Sequence, residues 1–175
     1  MSQALPFSQP YNLNRLGQAG EEVRFAVGEA EREALARFAD VMRVEAFAAM
    51  VDLKKLSPNR FRLEFSLEAD IVQACVVTLA EVPAHIQLRF DRELHFAPSA
   101  RRAGEAEAEV EVPLDDDLPE EIDSLRYDLA APLVEEFVLA IDPYPRAPGV
   151  EFQAPEGGEA KESPFAVLKR LKTGP

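Results

Sequence analysis

The chain has 175 residues, 47% of them apolar, with one cysteine, two histidines and a net charge of −13 at neutral pH. That composition suits a single globular domain over residues 1–175, and it excludes an internal disulfide or a zinc site built from four cysteine and histidine ligands. It also disfavours nucleic-acid binding over any acidic face, because such affinity rests on Lys and Arg displacing counterions from phosphate.

In chain order, residues 6–20 mix Pro, Asn, Gln and Gly with scattered apolar residues and read as an irregular arm or short edge strand. Residues 22–27 alternate charged and apolar side chains, which predicts a strand that Gly28 breaks. Over residues 29–41, Ala30, Ala34, Leu35, Phe38 and Val41 fall at helical spacing, with glutamates early in the helix. A buried strand is expected over 44–53 and a turn at Ser57-Pro58-Asn59. The clearest strand is 60–69: Phe61, Leu63, Phe65, Leu67 and Ala69 share one face, while Arg60, Arg62, Glu64, Ser66 and Glu68 share the other. One wet face favours an antiparallel sheet. Residues 71–79 read as a continuing extended apolar stretch, and 82–90 as another half-buried strand.

A flexible connector is expected over 97–104, and a marginal strand with a purely acidic outer face over 105–112. A second helix begins near Asp128, with Pro132 in its first turn and Leu133, Val134, Phe137, Val138 and Ile141 as its buried stripe. A linker near 153–163 leads to a short C-terminal helix at 164–171. The fold expected is therefore α+β: an antiparallel sheet of about four to six strands, free to curve strongly toward an open barrel, with two main helices and a short C-terminal one. No apolar run approaches the roughly 18 residues of a membrane helix. The N-terminus carries no secretory signal, so a soluble cytoplasmic protein is expected.

Two segments carry the candidate functional residues. Residues 103–125 hold ten carboxylates and no cation, Glu105, Glu107, Glu109 and Glu111 among them. Such a run is either a solvated loop or a surface that attracts a basic protein. After the second helix comes Asp142-Pro143-Tyr144-Pro145-Arg146-Ala147-Pro148-Gly149, whose prolines stop helix and strand alike. This stiff strap either serves as a helix stop with Tyr144 packed on the domain, or holds Tyr144 and Arg146 ready for a partner. Catalytic apparatus is not visible. Cys75 lies in an apolar stretch suited to a buried, inert thiol, and His85 and His95 have no orienting partner in the sequence pattern. Glu135 and Glu136 are adjacent on a helix and point roughly 100° apart. The chain reads as no enzyme, with no cofactor and no metal.

Residues 140–152 around the strap, Val72-Gln73-Ala74-Cys75-Val76-Val77-Thr78-Leu79, and Pro164-Phe165-Ala166-Val167-Leu168 occur in an order that resembles the α-proteobacterial type of the YceD family. Those are the large ribosomal RNA subunit accumulation proteins. The motif positions are Cys75, Thr78, Asp142, Pro143, Pro145 and Gly149; many family members have a Cys-x-x-Cys pair where this chain has Cys75 and Thr78, which puts any metal role in doubt. The resemblance implies a part in the synthesis, processing or stable accumulation of large-subunit ribosomal RNA. Members are often encoded beside a small zinc-ribbon ribosomal protein. With the acidic run, this gives the expectation of a non-enzymatic factor that binds a basic partner, a ribosomal protein or a large-subunit assembly intermediate. The alternative is a peptide or small-molecule binding module that uses a sheet edge.

Overall fold

The computed structural model describes residues 4–98 and 119–151. A short strand, β1 (Pro10–Asn12), runs into one 3-10 turn (Leu13–Arg15) and then β2 (Glu21–Ala26). Helix α1 (Glu29–Phe38) starts at Gly28, whose amide donates to the Glu31 carboxylate at 2.7 Å. This satisfies a donor at the helix entrance and places negative charge at the positive end of the helix dipole. Three long strands follow: β3 (Arg43–Ser57), β4 (Arg60–Ala74) and β5 (Glu81–Phe96). Then come β6 (Glu120–Ile122), β7 (Arg126–Asp128) and α2 (Ala130–Ala140).

The main sheet has the order β2-β3-β4-β5-β6, antiparallel throughout except for the parallel pair β5–β6. A separate antiparallel ribbon joins β1 to β7. The architecture is α+β with antiparallel pairing dominant. Among the described residues the strand order is open at β2 and β6, so this pairing closes no barrel and gives no support to strong curvature.

Period-two alternation builds the core. Phe61, Leu63, Phe65, Leu67, Ala69 and Ile71 of β4 are all buried on one face. The register sets Val51, Phe65 and Phe90 side by side across three strands, and the Phe65 and Phe90 rings stack with centroids 4.8 Å apart. Leu35 and Ala36 of α1 join the same core, as do Leu133, Val134 and Phe137 of α2. Phe47 of β3 meets Phe137 edge-on at 5.4 Å and Phe7 of the N-terminal arm at 5.5 Å. The opposite sheet face carries cross-strand polar contacts, such as the ion pairs Lys54–Glu64 and Arg43–Glu81 and the His85–Asp70 hydrogen bond, each at 2.7 Å. They are exposed, so each adds little stability, but together they keep that face polar and fix register.

Several expectations need adjustment. The extended stretch expected over 71–79 is strand only as far as Ala74; residues 76–78 form a turn, and Leu79 has a left-handed φ of 61°. The long strands overrun their expected ends, because cross-strand pairing continues past the point where alternation is clean. The arm over 6–20 is tied down as β1 by its pairing to β7. Part of the acidic run is a strand, since Glu120 and Glu121 belong to β6. The connector from 99 onward, the marginal strand at 105–112, the linker at 153–163 and the C-terminal helix at 164–171 lie outside the described residues.

Candidate functional site

Alternation ends at the top of β4, where Ile71, Val72 and Gln73 are buried in succession. Both faces of the strand are covered there, and the proline strap lies over one of them. The amide of Gln73 donates through Nε2 to the Asp142 carbonyl at 2.8 Å. Three residues on, the Val76 N–H donates to the Pro145 carbonyl at 2.9 Å, and the Ala147 N–H donates to Cys75 Sγ at 3.4 Å. Three bonds thus fix three successive points of the strap to one short stretch of β4 and its turn. The strap also supports itself: the Asp142 carboxylate accepts the Tyr144 N–H at 2.9 Å, and Gly149 turns the chain with a φ of 75°.

The turn itself is tightly bonded. The Cys75 N–H donates to the Ala80 carbonyl at 2.8 Å, and the Leu79 N–H donates back to the Cys75 carbonyl at 2.9 Å. Cys75 is fully buried. Burial alone would leave an inert thiol, but the sulfur is ringed by donors. A hydrogen bond from the Thr78 hydroxyl, then the backbone amides of Ala147, Thr78 and Val77, pull the thiol pKa from 9.0 down to about 6, against the opposing effect of burial. Thr78 occupies the second position of a Cys-x-x-Cys spacing and acts as a donor to the sulfur. Among the described residues no group of three or more His, Cys, Asp or Glu side chains is placed to hold a metal ion.

The motif at 72–79 and the strap at 142–149 therefore form one structure, although 69 and 72 residues separate the partners of two of the bonds that join them. Within it Pro145 is buried, while Pro143, Tyr144 and Arg146 are exposed. Tyr144 keeps 72% of its surface in solvent, so it does not pack on the domain. The neighbouring turns expose further apolar side chains: Met42 at 49%, Val76 at 47% and Leu79 at 76%. Met42 and Val76 line one cleft together with Pro143 and Pro145, and exposed apolar side chains grouped in this way are a usual mark of a docking region. Beside the strap lies a cleft of about 540 Å³ between the turn that ends α1 and residues 141–145. Asp40 stands at its edge with a φ of 53°.

Elsewhere the candidates disperse. His85 is bonded to Asp70 across β4 and β5, and His95 to Asn59 at the turn between β3 and β4. Glu135 and Glu136 both bind Arg92, an ion-pair cluster that ties α2 to β5. Glu105, Glu107, Glu109 and Glu111 lie outside the described residues. Met42 and Asp40 lie outside both motifs, while Gln73 and Leu79 lie inside one of them without standing out singly. For Gln73 the signal was present: a polar side chain directly after two apolar ones breaks the alternation and marks a doubly covered strand.

The family model described as large ribosomal RNA subunit accumulation protein YceD matches residues 63–172, a stretch that includes the Cys75 turn, the acidic run and the strap. No curated protein and no solved structure gives a match. Among the described residues no helix is long and apolar enough to cross a membrane.

Proposed function

Because the chain belongs to the YceD family, whose description is that of a large ribosomal RNA subunit accumulation protein, we propose that it supports large-subunit assembly by binding a protein partner in the cytoplasm and not by catalysis. The observation that carries this reading is the pinned strap. Tyr144 is held out in solvent by a segment whose neighbours on both sides are fixed by hydrogen bonds and prolines, so a partner meets a contact that costs little further ordering. Arg146 stands two residues away on the same strap. The acidic run at 103–125 repels phosphate and attracts a basic protein, which points to a ribosomal protein or an assembly intermediate carrying one.

The double change Tyr144→Ala with Arg146→Ala tests this. Both side chains are exposed, so the melting temperature stays within a few degrees of the parent. The cellular ratio of large- to small-subunit ribosomal RNA falls. A variant that melts far below the parent would make the strap scaffolding, and one that melts normally and sustains the full ratio would remove it from the function.

A further inference from the structure

The cleft beside the strap has a chemistry of its own. Apolar side chains line it, Val41 and Met42 from the turn after α1 and Val76 and Pro143 from the opposite wall, beside the polar Gln73. Its exposed surface is more polar than apolar, and the charged groups lining it among the described residues are Asp40 and Asp142. Neither carboxylate has a cationic partner among the described residues, although Glu45 and Glu81 nearby in the sheet are both taken up by Arg43. The backbone fixes both acids. Asp40 sits in a left-handed conformation, and Asp142 spends one oxygen on the Tyr144 amide and keeps the other free. A cleft lined by apolar side chains, with two carboxylates and no cation among the described residues, matches a long aliphatic stem that ends in a positive charge.

We infer that this cleft receives a lysine or arginine side chain, flanked by apolar residues, from a basic protein. The inference rests on the protein-binding reading above and names what the strap's neighbour recognises. A second copy of the chain is a poor occupant, because at a net charge of −13 the copies repel one another. Phosphate is repelled by the same two carboxylates. The exposed rim of Met42 and Val76 supplies the apolar contact for the flanking residues.

The test titrates the isotope-labelled full chain with the tripeptide acetyl-Leu-Arg-Leu-amide and with its neutral twin, in which citrulline replaces the arginine. The variant Asp40→Asn with Asp142→Asn keeps the fold, because asparagine tolerates the left-handed backbone at 40 and retains the oxygen that accepts the Tyr144 amide. The arginine peptide is expected to shift amide resonances of residues 40–42, 73–76 and 142–144. Both the citrulline peptide on the parent and the arginine peptide on the variant are expected to bind roughly tenfold more weakly. Equal binding of the two peptides, unchanged binding by the variant, shifts confined to other surfaces, or self-association of the free chain through these residues would each overturn the assignment. Recovery of large-subunit precursors on the parent chain is measured in parallel. Precursors recovered without charge-dependent peptide binding would sink the cleft assignment alone. Charge-dependent peptide binding at the cleft without precursors would uphold it and remove the ribosomal reading.

Discussion

Cys75 and Thr78 show how a single residue changes the chemistry of a site. A fully buried sulfur in apolar surroundings holds its proton tightly, yet here four donors converge on it and lower its pKa from 9.0 to about 6. A group whose folded pKa is depressed lends stability that is complete above its unfolded pKa and is lost as pH falls through the folded value. The stability advantage of the parent over Cys75→Ser should therefore grow between pH of about 6 and 9.0 and vanish below that window. Chemical denaturation at several pH values reads it, and a difference independent of pH would contradict the donor geometry. Replacing Thr78 by valine removes the largest of the four contributions. The titration of the thiol, followed by its ultraviolet absorbance, should then move upward toward the ordinary value.

Elements that define themselves locally were legible, and those that depend on distant partners were not. The alternation of Phe61 through Ala69 is enough to identify β4, and the helical spacing of Leu133, Val134 and Phe137 is enough for α2, because each pattern matches a repeat of its own backbone. β6 and β7 are three residues each, too short for any period, and exist through pairing with Leu94–Phe96 and with β1. The site divides in the same way. Both of its motifs stood out in the sequence, but the bonds that unite them join residues 69 and 72 apart, and no local pattern records that contact. Packing at this scale gives direct expectations. Phe137→Ala, where α2 packs against Phe47 of β3, should cost about 3–5 kcal/mol in equilibrium unfolding. Gly20→Ala should be worse tolerated than Gly149→Ala although both positions have positive φ. At 20 the new Cβ would meet the Leu53 carbonyl oxygen at 2.8 Å, whereas at 149 nothing lies within 4 Å. Equal thermal shifts for the two variants would contradict the close approach of the β2 turn to β3.

For the molecule as a whole, charge and shape have separable roles. In the proposed binding the strap supplies the contact surface, and the carboxylates of residues 103–125 supply long-range attraction to a basic partner. Converting Glu105, Glu107, Glu109 and Glu111 together to glutamine should slow association with a basic partner and flatten its salt dependence, while leaving dissociation and thermal stability nearly unchanged. An unaltered association rate across a salt titration would take these residues out of the account. The central claim, that the pinned strap joins this chain to large-subunit assembly through protein contact, is tested most directly by recovering the tagged chain from growing cells and assaying what sediments with it. The account predicts large-subunit precursors bound to the parent, released by high salt, and lost from the Tyr144→Ala, Arg146→Ala double variant at normal expression and stability. Parent protein that carries no large-subunit material, or a folded double variant that retains all of it, would contradict the claim.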